Sequence, residues 1–427
     1  MDQLVQLREE NLRLKKAVEE LSILNELARV ISSTMNLEAV IESVVKRSVR
    51  AIRGKQGMIT LVDEQAPTEM KTLIRAQNSS SEHQQFHLNQ NILGWMLINK
   101  KPLMSNELNT DSRFSGVKLE GEFRSILCVP LLVKNRLIGI LAVFDKTEGN
   151  EFTEDDKRLL SIIAAQSAQI LENARLYEQE KSLIVMQDEL KFAAKIQFEL
   201  LPHQAPVIPG YEIAGKSIPA QVVGGDYFDF ISIDAGHHAI AVGDVSGKGL
   251  PASLLMANLQ ATLRGQTLGT PLAKECVMRS NKLLYQSTSS EKFVTLFYGI
   301  LDRESHELRF CNAGHDPPFH FFKGTQVNRL RTGGIVLGIL NDFPFQEEVI
   351  PISPGDLMVI YSDGIPEAMN SSKEQFGEEK LEKILLERRS ESAEGIIDAV
   401  VSAVRQHAGA WPQSDDMTMI VVKRTGG

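Results

Sequence analysis

Cysteine is scarce in this chain, three in 427 residues, and tryptophan is scarcer still, at two. Cys128, Cys276 and Cys311 stand far apart among apolar neighbours, and none belongs to a CxxC pair. That spacing excludes a clipped zinc ion or a redox-exchange motif and leaves three small core residues of the kind expected in a reducing compartment. No run approaches the roughly 18 consecutive apolar residues that cross a bilayer, and the opening MDQLVQLREENLRLKK lacks the apolar stretch of a secretory signal. These absences predict a cytoplasmic protein without a membrane span. Positive charge is not in excess either: 46 Lys and Arg against 55 Asp and Glu leave a formal charge of −9. A nucleic-acid partner is therefore not expected.

What is present is the composition of a folded protein, with 43% hydrophobic and 24% charged residues. The length exceeds one ordinary core and predicts two or three domains. Leu4, Leu7, Leu14, Val18 and Leu21 recur at heptad spacing, with Asn11 and Asn25 at equivalent seam positions. Seam asparagines favour a parallel two-stranded coiled coil, because paired amides are not buried unsatisfied. A homodimer follows from that reading; a single amphipathic helix packed on its own domain is the alternative.

From Leu21 to Leu171 the pattern mixes helix and strand. LEAVIESVVKRSVRAI reads as a helix and GMITLVDE as a strand, followed by a polar Ser- and Gln-rich stretch and a helix-like ILGWMLINKK. SILCVPLLV and RLIGILAVFDK read as two strands with Asn135 and Arg136 as a tight connection. Thr153, followed by Asp156 three residues on, signals the start of a long helix. Leu176, Leu183 and Leu190 repeat at heptad spacing as that helix continues to Pro202. Such a helix either couples one domain to the next or serves as a passive spacer.

The block over residues 20–175 resembles a GAF domain, on the SILCVPLLVKNRLIGILAVFDK hairpin and the EFTEDDKRLLSIIAAQSAQILENARL exit helix. The resemblance implies either a small-molecule or protein ligand, or a fold that only dimerises or docks. Of the pattern in cyclic-nucleotide-binding members, Asn99, Lys100 and Phe114 are present but the Asp-Glu pair is missing.

The remaining residues carry four short motifs, each setting an aspartate at a predicted strand end: GGDYFD with Asp226 and Asp229, VGDVSGKG with Asp244, YSDG with Asp363, and SDDMT with Asp415 and Asp416. Any one of them could be a turn. Four together point to clustered carboxylates, whose repulsion is relieved by hard divalent cations bound through oxygen. The economical reading is a site for two Mn²⁺ or Mg²⁺ ions acting on a phosphoryl group.

With NAGHDPP, and in this order, those motifs resemble a PPM-type metal-dependent protein phosphatase of the SpoIIE and RsbU subfamily over residues 204–426; AAKIQFELLP resembles the helix that precedes its catalytic core. The resemblance implies an αββα sandwich. It implies that Asp226 ligates the second metal, that Asp244 bridges both, that the Val245 carbonyl completes the second site, and that Asp363 and Asp415 hold the first. It places Asp416 behind the ligands, orienting them. Gly224, Gly225 and Gly247 let backbone approach the metals and substrate closely. No residue matches the phosphate-holding arginine of relatives from higher organisms. His315 either donates a proton to the leaving oxygen or braces a turn, and the adjacent Pro317 and Pro318 favour the brace.

The fold class expected is thus α+β and multidomain: a coiled-coil segment over 1–20, a GAF sensor domain over 21–172, a helical linker over 173–203 and an αββα phosphatase domain over 204–427. The expected function is dephosphorylation of phosphoserine or phosphothreonine on a protein. By resemblance, the substrate is an anti-anti-sigma-factor-type protein in a partner-switching pathway. A catalytically silent regulator that uses the same fold to bind a partner is the second reading. A diguanylate cyclase is disfavoured because Tyr227 follows Gly-Gly-Asp where an acidic residue is required. A P-loop fails because GDVSGKG puts three residues between Gly243 and Gly247 and ends on Gly249.

Overall fold

The computed structural model describes residues 36–62, 71–76, 90–108, 110–111, 113, 123–268, 272–288, 291–324 and 326–426. The N-terminal heptads and Phe114 lie outside them. The chain forms two compact units, Met1–Val185 and Met186–Gly427.

In the first unit, Asn36 caps helix α1 (Leu37–Ile52): its Oδ1 accepts from the Glu38 and Ala39 N–H groups at 2.8 and 3.2 Å. One face of that helix buries Val40, Val44, Val45, Val49 and Ile52. A five-stranded antiparallel sheet has the order β2-β1-β5-β4-β3, built from β1 (Gly54–Leu61), β2 (Lys71–Ala76), β3 (Leu103–Ser105), β4 (Ile126–Val133) and β5 (Arg136–Lys146). Alternation along β4 sorts its side chains to two cores. Leu127, Val129 and Leu131 join α1 and the start of the long helix, while Ile126 and Cys128 join Ile92 and Met96 of α2 (Gln90–Asn99).

Three local expectations need correction. Strand β1 begins at Gly54, ahead of GMITLVDE, and β2 falls in a stretch with no strand expected. The β4–β5 connection is Lys134-Asn135, with φ of 46° and 67°; Arg136 already belongs to the strand. Two left-handed residues give the turn whose twist matches a hairpin.

The capping signal forms as expected. The Asp156 carboxylate accepts from the Thr153 N–H at 2.8 Å while Thr153 Oγ1 accepts from the Asp156 N–H at 3.3 Å. From there α3 (Glu154–Leu200) runs without a break.

The second unit is an αββα sandwich. The strands that position the site are β6 (Tyr211–Ile218), β7 (Tyr227–Ser232), β8 (His237–Val245), β9 (Val294–Asp302), β15 (Leu357–Tyr361) and β16 (Met417–Arg424). With β10 (Glu307–Ala313), β11 (Phe319–Phe322), β12 (Gln326–Arg329), β13 (Gly333–Gly334) and β14 (Glu348–Pro351), one sheet has the order β13-β10-β9-β8-β7, with β14 beside β10; the other has the order β12-β11-β15-β16-β6. The period-2 pattern divides each strand between layers. Ile240, Val242, Phe297, Phe310, Met358, Ile360, Ile420 and Val422 fill the space between the sheets. The opposite faces bury Ala241 and Tyr298 under α4 (Leu250–Thr267) and α5 (Ala273–Ser287), and Val359 and Val421 under α6 (Glu378–Arg388) and α7 (Ala393–Ala408). All three cysteines are buried and free, and burial raises their thiols.

Candidate metal centre

The sandwich brings the four aspartate motifs to one end of the two sheets. Antiparallel pairing sets Tyr227 opposite Gly243 and Tyr361 opposite Met419, so Asp226, Asp363 and the Asp415-Asp416 pair sit just beyond paired strand ends, while Asp244 is the penultimate residue of β8, opposite Thr295 of β9. Burial pushes the Asp226 carboxyl well up, and repulsion from Asp244 and Asp416 adds to it. Asp244 is pushed up to about 7, by burial first and then by Asp363, Asp415 and Asp416. Asp363 is pushed up to about 6 by burial, Asp415, Glu367 and Asp316. Five carboxylates from four separate segments therefore share one field.

Their oxygens are unevenly satisfied. Asp416 is buried and accepts backbone N–H groups from Ala220 at 2.7 Å, Gly225 at 2.6 Å and Asp226 at 3.3 Å. It fastens the Gly-Gly-Asp loop of one sheet to the start of β16 in the other. Asp226 Oδ2, by contrast, is buried without a hydrogen-bond partner. The hydroxyls of Ser362 and Thr418 ease its charge, yet they bond the Asp416 carbonyl and the Ser217 hydroxyl. Lys248 Nζ lies 2.7 Å from Asp415 Oδ2 and donates to the Ser414 carbonyl at 2.5 Å.

Among the described residues no three His, Cys, Asp or Glu side chains form a ready coordination shell. The chemistry of the donors is nonetheless that of a hard divalent cation, with all-oxygen ligands, mutual repulsion and one orphaned buried carboxylate oxygen.

Close approach explains two glycines. A Cβ on Gly224 would meet Asp416 Oδ2 at 2.4 Å, and one on Gly364 would meet the Asp416 carbonyl oxygen at 2.0 Å. Gly225 stands against the Val245 carbonyl, and Gly247 adopts φ +96° beside Lys292. Asp229, the second acid of GGDYFD, does not face the cluster. It is fully buried and accepts from Tyr227 Oη at 2.8 Å and from Arg264 Nε and Nη2 at 2.7 and 3.0 Å, which ties β7 to α4.

His315 sits in a braced turn. Its N–H donates to Asn312 Oδ1 at 2.8 Å, Asn312 Nδ2 donates back to the His315 carbonyl at 3.0 Å, and its Nδ1 pairs with Thr295 Oγ1 at 2.9 Å. Burial pushes the imidazole down to about 4 and keeps it neutral.

Sequence reasoning missed Gln197, on the last turn of α3. Its Nε2 donates to the Gly224 carbonyl at 2.7 Å and its Oε1 accepts the Gly224 N–H at 3.0 Å, so one side chain clamps both sides of a peptide in the site loop. A lone glutamine within AAKIQFELLP offers no signal of that contact. Lys248 stands within VSGKG, a motif that does not fit a P-loop, and its pairing with Asp415 depends on a residue 167 positions away in the chain.

A carboxylate cluster at one end of an αββα sandwich is the arrangement that the resemblance to PPM-type phosphatases implies. Consistently, the SiaA-PP2C domain of Pseudomonas aeruginosa superposes with a TM-score of 0.50 over 57% of this chain and 98% of that one, at 22% identity, which bears on the fold alone. Residues 234–425 match the family model of Stage II sporulation protein E (SpoIIE), and residues 34–172 match that of the GAF domain. The chain therefore carries a SpoIIE-family phosphatase domain preceded by a GAF domain. It is 28% identical over 254 residues to phosphoserine phosphatase RsbU of Bacillus subtilis, covering 58% of this chain and 75% of that protein. It is also 28% identical over 263 residues to protein IcfG of Synechocystis, covering 55% of this chain but 41% of that protein.

Proposed function

We propose that the chain is a metal-dependent phosphoserine/phosphothreonine protein phosphatase regulated through its GAF domain. The observation that carries this reading is the shared field of five carboxylates with the orphaned Asp226 oxygen. Two divalent ions, Mn²⁺ or Mg²⁺, would supply Lewis acidity toward the phosphoryl group and toward water. Asp226 and the Val245 carbonyl would hold the second ion, Asp363 and Asp415 would hold the first, and Asp244 would serve both. Asp416 keeps the loop in place through its three N–H acceptances and is a positioning residue. His315, neutral and braced, shapes the turn and donates no proton.

The substrate is a phosphorylated protein of the anti-anti-sigma-factor type in a partner-switching pathway, supported by the likeness to RsbU, a phosphoserine phosphatase. The chain works as a homodimer in the cytoplasm. Exposed apolar residues on α3, Leu176 and Leu183 at heptad spacing with Phe192 beyond them, support pairing of helices. No helix among the described residues is long and apolar enough to cross a membrane. At the GAF domain, Asn99 Nδ2 is spent on the Trp95 carbonyl and Lys100 Nζ on the Asn135 carbonyl, which supports a ligand other than a cyclic nucleotide, or none. The domains divide at 20, 172 and 203, and residues 173–200 of the linker belong to α3.

The test is phosphate release from a phosphoserine protein with Mn²⁺, with chelator, and by Asp244→Asn. Metal-dependent activity that vanishes in the variant is expected. Inactivity of wild type together with no Mn²⁺ binding would overturn the reading in favour of a silent partner-binding regulator.

A further inference from the structure

A recess directly beside the carboxylate cluster is built like a protein-binding anchor. It encloses about 250 Å³ between the last turn of α7, the loop over 409–414 and the turn after Asp363. Val404, Ala408, Trp411, Met369 and Met417 give it apolar walls, and Arg405 stands at its rim. By contrast, the recess among the carboxylates themselves holds about 10 Å³. Such a shallow site grips a phosphoryl group but offers little surface with which to choose a polypeptide.

The position of the recess follows from the chain. Gly364 and Ser414 both line it, and they are the immediate neighbours of Asp363 and Asp415. A polypeptide that presents a phosphoserine to the carboxylates therefore lays a flanking residue over this opening. Its wall is fixed: the Trp411 N–H donates to the Ala408 carbonyl at 3.0 Å, and Gln413 Nε2 donates to the Ile218 and Asp415 carbonyls at 2.8 and 2.7 Å. A preorganised wall loses little freedom when a partner docks.

Its composition is equally telling. Trp411 is one of two tryptophans in the chain, yet 37% of its surface is exposed. Arg405 is exposed, and its guanidinium makes no hydrogen bond or ion pair among the described residues. Tryptophan and arginine are the side chains that dominate protein interfaces when seated around a pocket. Nothing in the unit's own packing accounts for an exposed indole beside an unmatched cation.

We propose that this recess is the substrate-selecting subsite, which takes an apolar side chain flanking the phosphoserine while Arg405 pairs with a carboxylate of the same segment. This rests on the phosphatase reading. Arg405 at the rim is the charge complement of an acidic residue flanking the phosphoserine.

The test uses the full chain with Mn²⁺, a library of phosphoserine peptides varied at each flanking position, and p-nitrophenyl phosphate as a substrate too small to reach the recess. Wild type is expected to favour peptides with an apolar and an acidic flanking residue. Trp411→Ala should abolish the apolar preference and Arg405→Glu should reverse the acidic one. Each should lower kcat/KM on the favoured peptide at least about tenfold, chiefly through KM, with the p-nitrophenyl phosphate rate held within about twofold. Arg405 is on the surface, so its variant remains informative if Trp411→Ala fails to fold. A flat peptide preference in an active wild type, unchanged peptide kinetics, equal losses on both substrates, or a shift only in oligomeric mass would overturn the subsite and leave the phosphatase reading standing. No phosphate release by wild type from either substrate removes that reading, and the subsite with it.

Discussion

Asp244→Asn should abolish activity and yet stabilise the metal-free protein. An aspartate with a raised folded pKa binds a proton that its unfolded counterpart has already lost, so stability falls as pH rises between the two values. For Asp244 that window runs from 3.8 to about 7. Its contribution is fully present below the lower value and gone above the upper one. Each unit of pH across the window costs about 1.4 kcal/mol, and some three units give ~4 kcal/mol, which screening at this partly exposed site trims to about 2–4 kcal/mol. Asp363, pushed up to about 6, acts with the same sign.

Urea unfolding in chelator therefore has a defined outcome. Wild type should lose stability between pH 5 and pH 8, whereas Asp244→Asn should lose less and be the more stable protein at pH 8. Saturating Mn²⁺ should invert the order, because an ion that binds only the folded state adds stability by mass action and the variant has lost a bridging ligand. If Asp244→Asn is no more stable than wild type at pH 8 in chelator, the carboxylates do not repel one another as described, and the argument for a cation between them fails.

Gln197→Ala removes two hydrogen bonds to the Gly224 peptide. At about 0.5–1.5 kcal/mol each, this should lower kcat on a phosphoprotein roughly tenfold; an unchanged rate would show that the loop holds its place unaided. Arg264→Met leaves the fully buried Asp229 without its half-exposed cation, and should cost about 1–3 kcal/mol in urea unfolding, whereas no measurable loss would show that Tyr227 and the Phe230 N–H suffice. Three residues inserted after Gln187 turn everything downstream by about 300° about the helix axis. A change in phosphatase activity would show that the helix transmits the state of the sensor, and unchanged activity would mark it as a spacer.

Much of this molecule is legible without coordinates, where the physics is local or periodic. A helical repeat of apolar residues marks α1, and continuous apolar runs mark β4, β5 and β16, which are buried on both faces between layers. Thr153 and Asp156 announce the start of α3 because a capping box spans only four residues. Strand β2 was passed over because KTLIRA lies amid polar sequence and is recruited by pairing with β1, an interaction its own residues do not encode. The hairpin turn was misplaced by one residue because positive φ at Lys134 is imposed by the twist of the strands it joins.

The candidate site divides along the same line. The inventory is written in the motifs: four aspartate motifs at strand ends, glycines beside them, and the order that fits one family. Packing assigned their parts. It turned Asp229 away to Arg264, set Asp416 as an acceptor of three N–H groups, left Asp226 with an unmatched oxygen, brought Lys248 to Asp415 and reached Gln197 across to Gly224. Residue type is written in the chain, but repulsion, burial and hydrogen-bond completion depend on distances between segments that meet only when two sheets pack face to face.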